Sequence, residues 1–155
     1  MSTAIIDNLY HYTNYVRYFK IMRSGVIMRS PSCLYDGNLT FVYNRVTGEY
    51  TMSDLEHDHI KPVVWLTNSK SPNGHGIPNE KAQLRITVKP NDSVEWWMKW
   101  QRGNHMKKNW FKQFTKGKDY YSWYVSETDI PVSDILIVED IVTGEVIYFK
   151  EQEQN

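Results

Sequence analysis

The stretch Leu9-Tyr10-His11-Tyr12-Thr13, running straight into Asn14-Tyr15-Val16-Arg17-Tyr18-Phe19-Lys20-Ile21-Met22-Arg23-Ser24-Gly25, decides how this chain reads. The first five residues have strand character. Side chains alternate along a strand, so His11 faces away from Tyr10 and Tyr12. Thr13 suits the N-cap of the helix that follows. Tyr15, Val16, Tyr18, Phe19 and Met22 give that helix one broad apolar face. Gly25 sits where a left-handed residue closes a helix, with Lys20 and Arg23 complementing the dipole in its last turn. Val26-Ile27-Met28 then reads as a short strand.

Working outward, a chain of 155 residues is expected to form one domain over 1–150, with a frayed polar tail at 151–155. At that size it buries about two-thirds of its unfolded surface. Six Trp, eleven Tyr and five Phe favour a β-rich core and flat faces for stacking on rings. The net charge is zero, so bulk electrostatics predict neither nucleic-acid nor membrane binding. The single cysteine, Cys33, excludes an intrachain disulfide or a cysteine zinc site and suits a reducing compartment. Ile5 and Ile6 lack the apolar run of a signal peptide or membrane span, so the expected location is the cytoplasm.

Charge is unevenly spread. Lys99, Arg102, Lys107, Lys108, Lys112, Lys116 and Lys118 occur with no acidic residue among them, laced with Trp100, Trp110, Phe111 and Phe114. Such a segment is either a solvated face or a surface for phosphates or an acidic partner, with nucleic acid and protein both open.

The remaining pattern is mostly strands. Leu39 to Tyr43 and Glu49 to Met52 flank Val46-Thr47-Gly48 as a hairpin. Pro62 to Thr67 reads as a buried strand, followed by a polar loop over 68–80. Gln83 to Val88 is the next strand. Asp92 and Glu95 form a capping box for a helix through Gln101, with Val94, Trp97, Met98 and Gln101 inward and Trp96 and Trp100 flanking. A basic helix spans His105 to Phe114. Tyr120 to Ser126 is an aromatic strand ended by Ile130-Pro131, and the stretches 135–138 and 146–148 complete the set. Helices do not alternate with strands, so an α+β domain is expected rather than a doubly wound parallel sheet.

The His11-x-Thr13 strand, the capped helix and the Ser24-Gly25-apolar step together resemble the opening of the ADP-ribosyltransferase superfamily, including its DarT-like branch. The resemblance implies two small, mostly antiparallel sheets around a central cleft with flanking helices. It also implies NAD as substrate, with His11 anchoring the nicotinamide-side ribose and Tyr12 and Thr13 among the NAD-binding residues. Trp65 and Thr67, on one face of a strand with Leu66 on the other, take the place of the family's pocket-lining strand. Arg85 is placed to pair with a pyrophosphate, Trp65 and Tyr124 to wall the ring, and Trp123 to stack on a base or nicotinamide ring.

Catalysis in that family uses a late-strand glutamate, whose negative charge steadies the positive charge developing on the sugar. In one register of Ser122-Trp123-Tyr124-Val125-Ser126-Glu127 the position is occupied by Trp123. In another it is Glu127, about 13 Å further along an extended strand. His11 and Glu127 are therefore the candidate catalytic pair, and the acceptor would be a protein or a nucleic acid. The alternative is a catalytically inactive binding or inhibitor protein, of the kind phages use against host partners, working through its basic aromatic face.

Other constellations carry less. Asp54-Leu55-Glu56-His57-Asp58-His59 has metal-ligand types but reads as a polar loop, and no metal is expected. Gly74-His75-Gly76 is either a mobile loop over a ligand or a plain connection. No nucleophile elbow supports a serine hydrolase.

Overall fold

The structure, a computed structural model, describes residues 8–30, 41–44, 46, 49–52 and 61–150. Cys33, Thr47 and Gly48, the run from Asp54 to His59 and the tail at 151–155 lie outside the described residues. In chain order the elements are β1 (Leu9–Thr13), α1 (Tyr15–Ser24), β2 (Val26–Ile27), β3 (Phe41–Asn44), β4 (Glu49–Met52), β5 (Val64–Thr67), β6 (Leu84–Val88), β7 (Val94–Trp96), α2 (Trp97–Gly103), α3 (Lys108–Thr115), β8 (Trp123–Ser126), β9 (Ile130–Pro131), β10 (Ile135–Asp140) and β11 (Val146–Phe149). The architecture is α+β.

A seven-stranded antiparallel sheet in the order β11-β10-β6-β1-β5-β8-β7 dominates, beside two-stranded pairings of β2 with β9 and β3 with β4. The two small sheets expected from the family resemblance are here continuous through β1. The continuity is slender. On one side β1 pairs with β6 over all five residues, Leu9↔Val88 to Thr13↔Leu84; on the other it meets β5 at Tyr10↔Thr67 alone. A four-stranded part and a three-stranded part thus adjoin along a seam between β1 and β5.

Each face of the sheet carries its own core. Leu9, Leu84, Ile86, Val88, Ile135 and Val138 share a face with Val64 and Leu66, and Tyr18 and Ile21 of α1 cover it with Ile27 and Ile130. On the other core, Trp97 and Trp100 of α2 pack with Val63, Trp123 and Val125, joined by the half-buried Trp65, Phe111, Phe114 and Tyr120. Trp97 is fully buried at the hub, its ring 5.0 Å from Trp123 edge-on and stacked on Phe111 at 5.7 Å.

Three local expectations are corrected. The α1 cap is Asn14, whose Oδ1 accepts from Arg17 N at 2.9 Å, and not Thr13, which completes β1 with its hydroxyl buried. The helix buries Tyr18 and Ile21, while Val16, Phe19 and Met22 face outward. Apolar residues at both helical phases made either face plausible; the core selects the one that meets Ile27 and Ile130. Third, Asp92 and Glu95 form no capping box. Asn91 turns the chain by accepting from Ser93 N at 2.9 Å, Glu95 pairs opposite Val125 in β7, and α2 starts only at Trp97, with Trp100 inward rather than flanking. Gly25 does close α1 in the left-handed region, at φ +84°.

Candidate functional site

Where β1 and β5 part, the backbone leaves a gap, and a cavity of about 260 Å³ occupies it. Residues from both faces of the sheet reach it for that reason. Tyr10, His11 and Tyr12 line it from β1, Val64 to Thr67 from β5 and Trp123 from β8. Met28 and Ser30, the segment from His75 to Pro78, Lys81, Phe114 and Lys118 complete the wall. Among the described residues, no aspartate or glutamate lines it.

His11 sits at the seam. Its Nδ1 donates to the Trp65 carbonyl at 2.9 Å, bridging the strands close to their one ladder position. A carbonyl can only accept, so Nδ1 carries the proton and Nε2 is left as an acceptor. Burial, followed by the nearby Lys81 and Arg17 cations, pulls the imidazole's pKa below its usual 6.5, against the raising effect of that hydrogen bond. The ring is therefore neutral at pH 7. Beside it, Tyr12 donates to the Ser69 carbonyl at 2.9 Å, and burial pushes its phenol up to about 12.

The aromatic wall is packed ring against ring. Trp65 lies edge-on to Trp123 at 5.6 Å and 5.9 Å from Phe114, and the Trp123 indole N–H donates to the His75 carbonyl at 3.1 Å. The Gly74-His75-Gly76 loop forms the opposite lip. It is pinned rather than free: Asp119 N donates to the Gly74 carbonyl at 2.7 Å, and His75 Nδ1 lies 2.8 Å from Ser122 Oγ. Positive φ angles at Gly74 and Gly76 make the turn possible.

The chain matches no family model, curated protein or solved structure. The site must therefore be read from its own geometry.

Of the residues singled out from sequence, His11, Tyr12, Trp65, Thr67 and Trp123 meet around one cavity. Four others stand elsewhere. Thr13 is buried outside the lining with an unpartnered hydroxyl. Arg85 shares the sheet face of Tyr10 and Tyr12, its guanidinium 5.8 Å from the Tyr10 ring centroid, but it does not line the cavity: it pairs with Glu139 at 3.1 Å and donates to the Lys70 carbonyl at 2.6 Å. Tyr124 packs against the α1-side core, because Trp123 and Tyr124 point to opposite faces of β8. Glu127 lies past the end of β8, exposed, and its Oε1 accepts from the buried Trp100 indole N–H at 2.8 Å.

The sequence marks Lys118 only as one of seven basic residues between 99 and 118, and does not mark Lys81. Lys81 ends the short 3₁₀ turn Asn79–Lys81 before β6 and carries no motif. Lys118 belongs to the basic segment, where nothing local separates it from its neighbours, yet Lys99, Arg102, Lys107, Lys108, Lys112 and Lys116 are exposed and Lys118 turns to the cavity.

Proposed function

We propose that this protein binds NAD or a related nucleotide in the seam cavity, as a non-catalytic ADP-ribosyltransferase-like binding domain. The observation that carries the reading is the composition of one wall: indole and phenyl rings, a neutral imidazole with a spare acceptor and two ammonium groups, with no carboxylate among the described residues. Rings offer stacking to a base or nicotinamide. His11 Nε2 accepts from a ribose hydroxyl, and the ammonium groups meet phosphate.

Transfer of ADP-ribose would need a carboxylate beside the sugar, and Glu127 instead serves as acceptor for Trp100. The binding reading is favoured on that ground. A macromolecular partner, nucleic acid or protein, is placed on the exposed basic side of α2 and α3 (Lys99, Arg102, Lys108, Lys112).

Titrating the full chain with NAD while following tryptophan fluorescence tests this directly, since Trp65 and Trp123 line the cavity. Saturable quenching is expected, with no radiolabel from NAD becoming covalently attached to macromolecules of a cell extract. Absence of quenching overturns nucleotide binding. Label that attaches with the wild type and disappears with Glu127→Gln, which keeps an acceptor for Trp100, would restore the transferase reading.

A further inference from the structure

We propose that the cavity is built for a nucleoside monophosphate, with Lys81 and Lys118 as the phosphate-binding residues. This rests on the nucleotide reading above and narrows it from a dinucleotide to a single nucleotide unit.

Size is the first argument. Pockets that enclose drug-sized ligands run to about 300–1,000 Å³. At about 260 Å³ this one lies below that range, enough for one ring with its sugar and phosphate. A dinucleotide has two of each and would leave one half outside.

Charge is the second. The titratable side chains of the wall, apart from tyrosine, are His11, His75, Lys81 and Lys118, and neither lysine forms a salt bridge to a carboxylate among the described residues. Lys81 is half-buried beside Arg17, and burial followed by that neighbour lowers its pKa against the raising effect of Glu80, whose carboxylate does not line the cavity. Two cations in a partly enclosed, carboxylate-free hollow are an unfilled anion site. Ligand phosphate supplies the missing charge.

Construction of the Lys118 side is the third. The Lys118 stem lies close against Gly76, where a Cβ would stand 2.9 Å from Cδ and 3.1 Å from Cε, and the φ of +77° favours glycine at that turn. The ammonium lies 5.0 Å from the Phe114 ring centroid, over its face. Loop and ring together aim one cation at the hollow.

The His11 imidazole supplies sugar recognition, while His75 is held by its own partners. Ser122 donates its one hydroxyl proton to the Asp119 carbonyl at 2.9 Å, so towards His75 Nδ1 at 2.8 Å it accepts, and that nitrogen carries the proton. His11 keeps Nε2 as an acceptor for a hydroxyl, while the His75 Nδ1–H also stands 3.9 Å from Asp119 Oδ2.

Calorimetric titration of the full chain with AMP, nicotinamide mononucleotide, the two parent nucleosides and NAD tests the assignment. At least one monophosphate is expected to bind about tenfold or more tighter than its nucleoside, the size of one charged hydrogen bond. NAD is expected to bind no tighter than that monophosphate. Lys81→Gln and Lys118→Gln should each weaken the monophosphate about tenfold and leave the nucleoside unchanged, which also shows that the variants are folded. If a variant fails to fold, raising salt on the wild type serves instead, weakening the monophosphate and not the nucleoside. A nucleoside that binds as well as its monophosphate overturns the phosphate assignment. So does NAD binding with neither monophosphate detectable, although nucleotide binding then stands. If no compound binds, both readings fall.

Discussion

His11 shows how one side chain ties fold to site. Its Nδ1–H bond to Trp65 bridges two strands that share a single ladder position, and its neutrality follows from burial beside cations. The folded pKa lies below the unfolded value near 6.5, so below pH 6.5 the unfolded chain takes up a proton that the folded chain refuses. Stability must then fall as the pH drops from about 6.5 towards the lowered folded value. His11→Asn keeps an N–H donor for the carbonyl and cannot titrate. Thermal unfolding between pH 7 and 5 should show a declining midpoint for the wild type and a flatter profile for His11→Asn. Equal profiles would remove the buried imidazole as the cause. The alternation of β1 made the direction of His11 legible from sequence, but its partner carbonyl, 54 residues away in the chain, was not.

At the level of elements, α1 separates what periodicity can tell from what it cannot. Strand, cap, helix and glycine stop were readable in order, yet two neighbouring residues competed for the cap. Thr13 has a buried, unpartnered hydroxyl and Asn14 makes the capping bond. Asn14→Ala should therefore cost about 1 kcal/mol. Thr13→Val exchanges an unsatisfied hydroxyl for a methyl of the same shape, and should be neutral or stabilising, by up to about 1–3 kcal/mol. Denaturant midpoints at constant slope measure both, and a destabilised Thr13→Val would return the cap to Thr13. The same competition misled at Asp92 and Glu95. An acidic pair at that spacing suits a helix start, but Val94-Glu95-Trp96 had a β8 edge to pair with, and long-range pairing prevailed over the local signal.

Across the whole molecule, the seam between β1 and β5 is what no local pattern could disclose. Strand positions follow from alternation and turn residues, whereas the parting of two particular neighbours depends on how both cores fill. The cavity and the place of its two lysines in it were hidden for the same reason. The seam also poses a question of cooperativity, because all six tryptophans, from Trp65 to Trp123, lie on the β5-β8-β7 side with α2 and α3. Their fluorescence reports only that part. The α1-side core nevertheless crosses the seam, joining Leu9, Leu84 and Ile86 to Val64 and Leu66, and β2 pairs with β9 just beyond β8. Neither part can open without exposing that shared core, so unfolding should be a single transition. Ile86 is fully buried on the side without tryptophan. Ile86→Ala should cost about 2–5 kcal/mol and move the fluorescence and far-UV dichroism midpoints by the same amount. Should the dichroism shift while fluorescence stays in place, the two parts unfold independently and the seam is a true domain boundary.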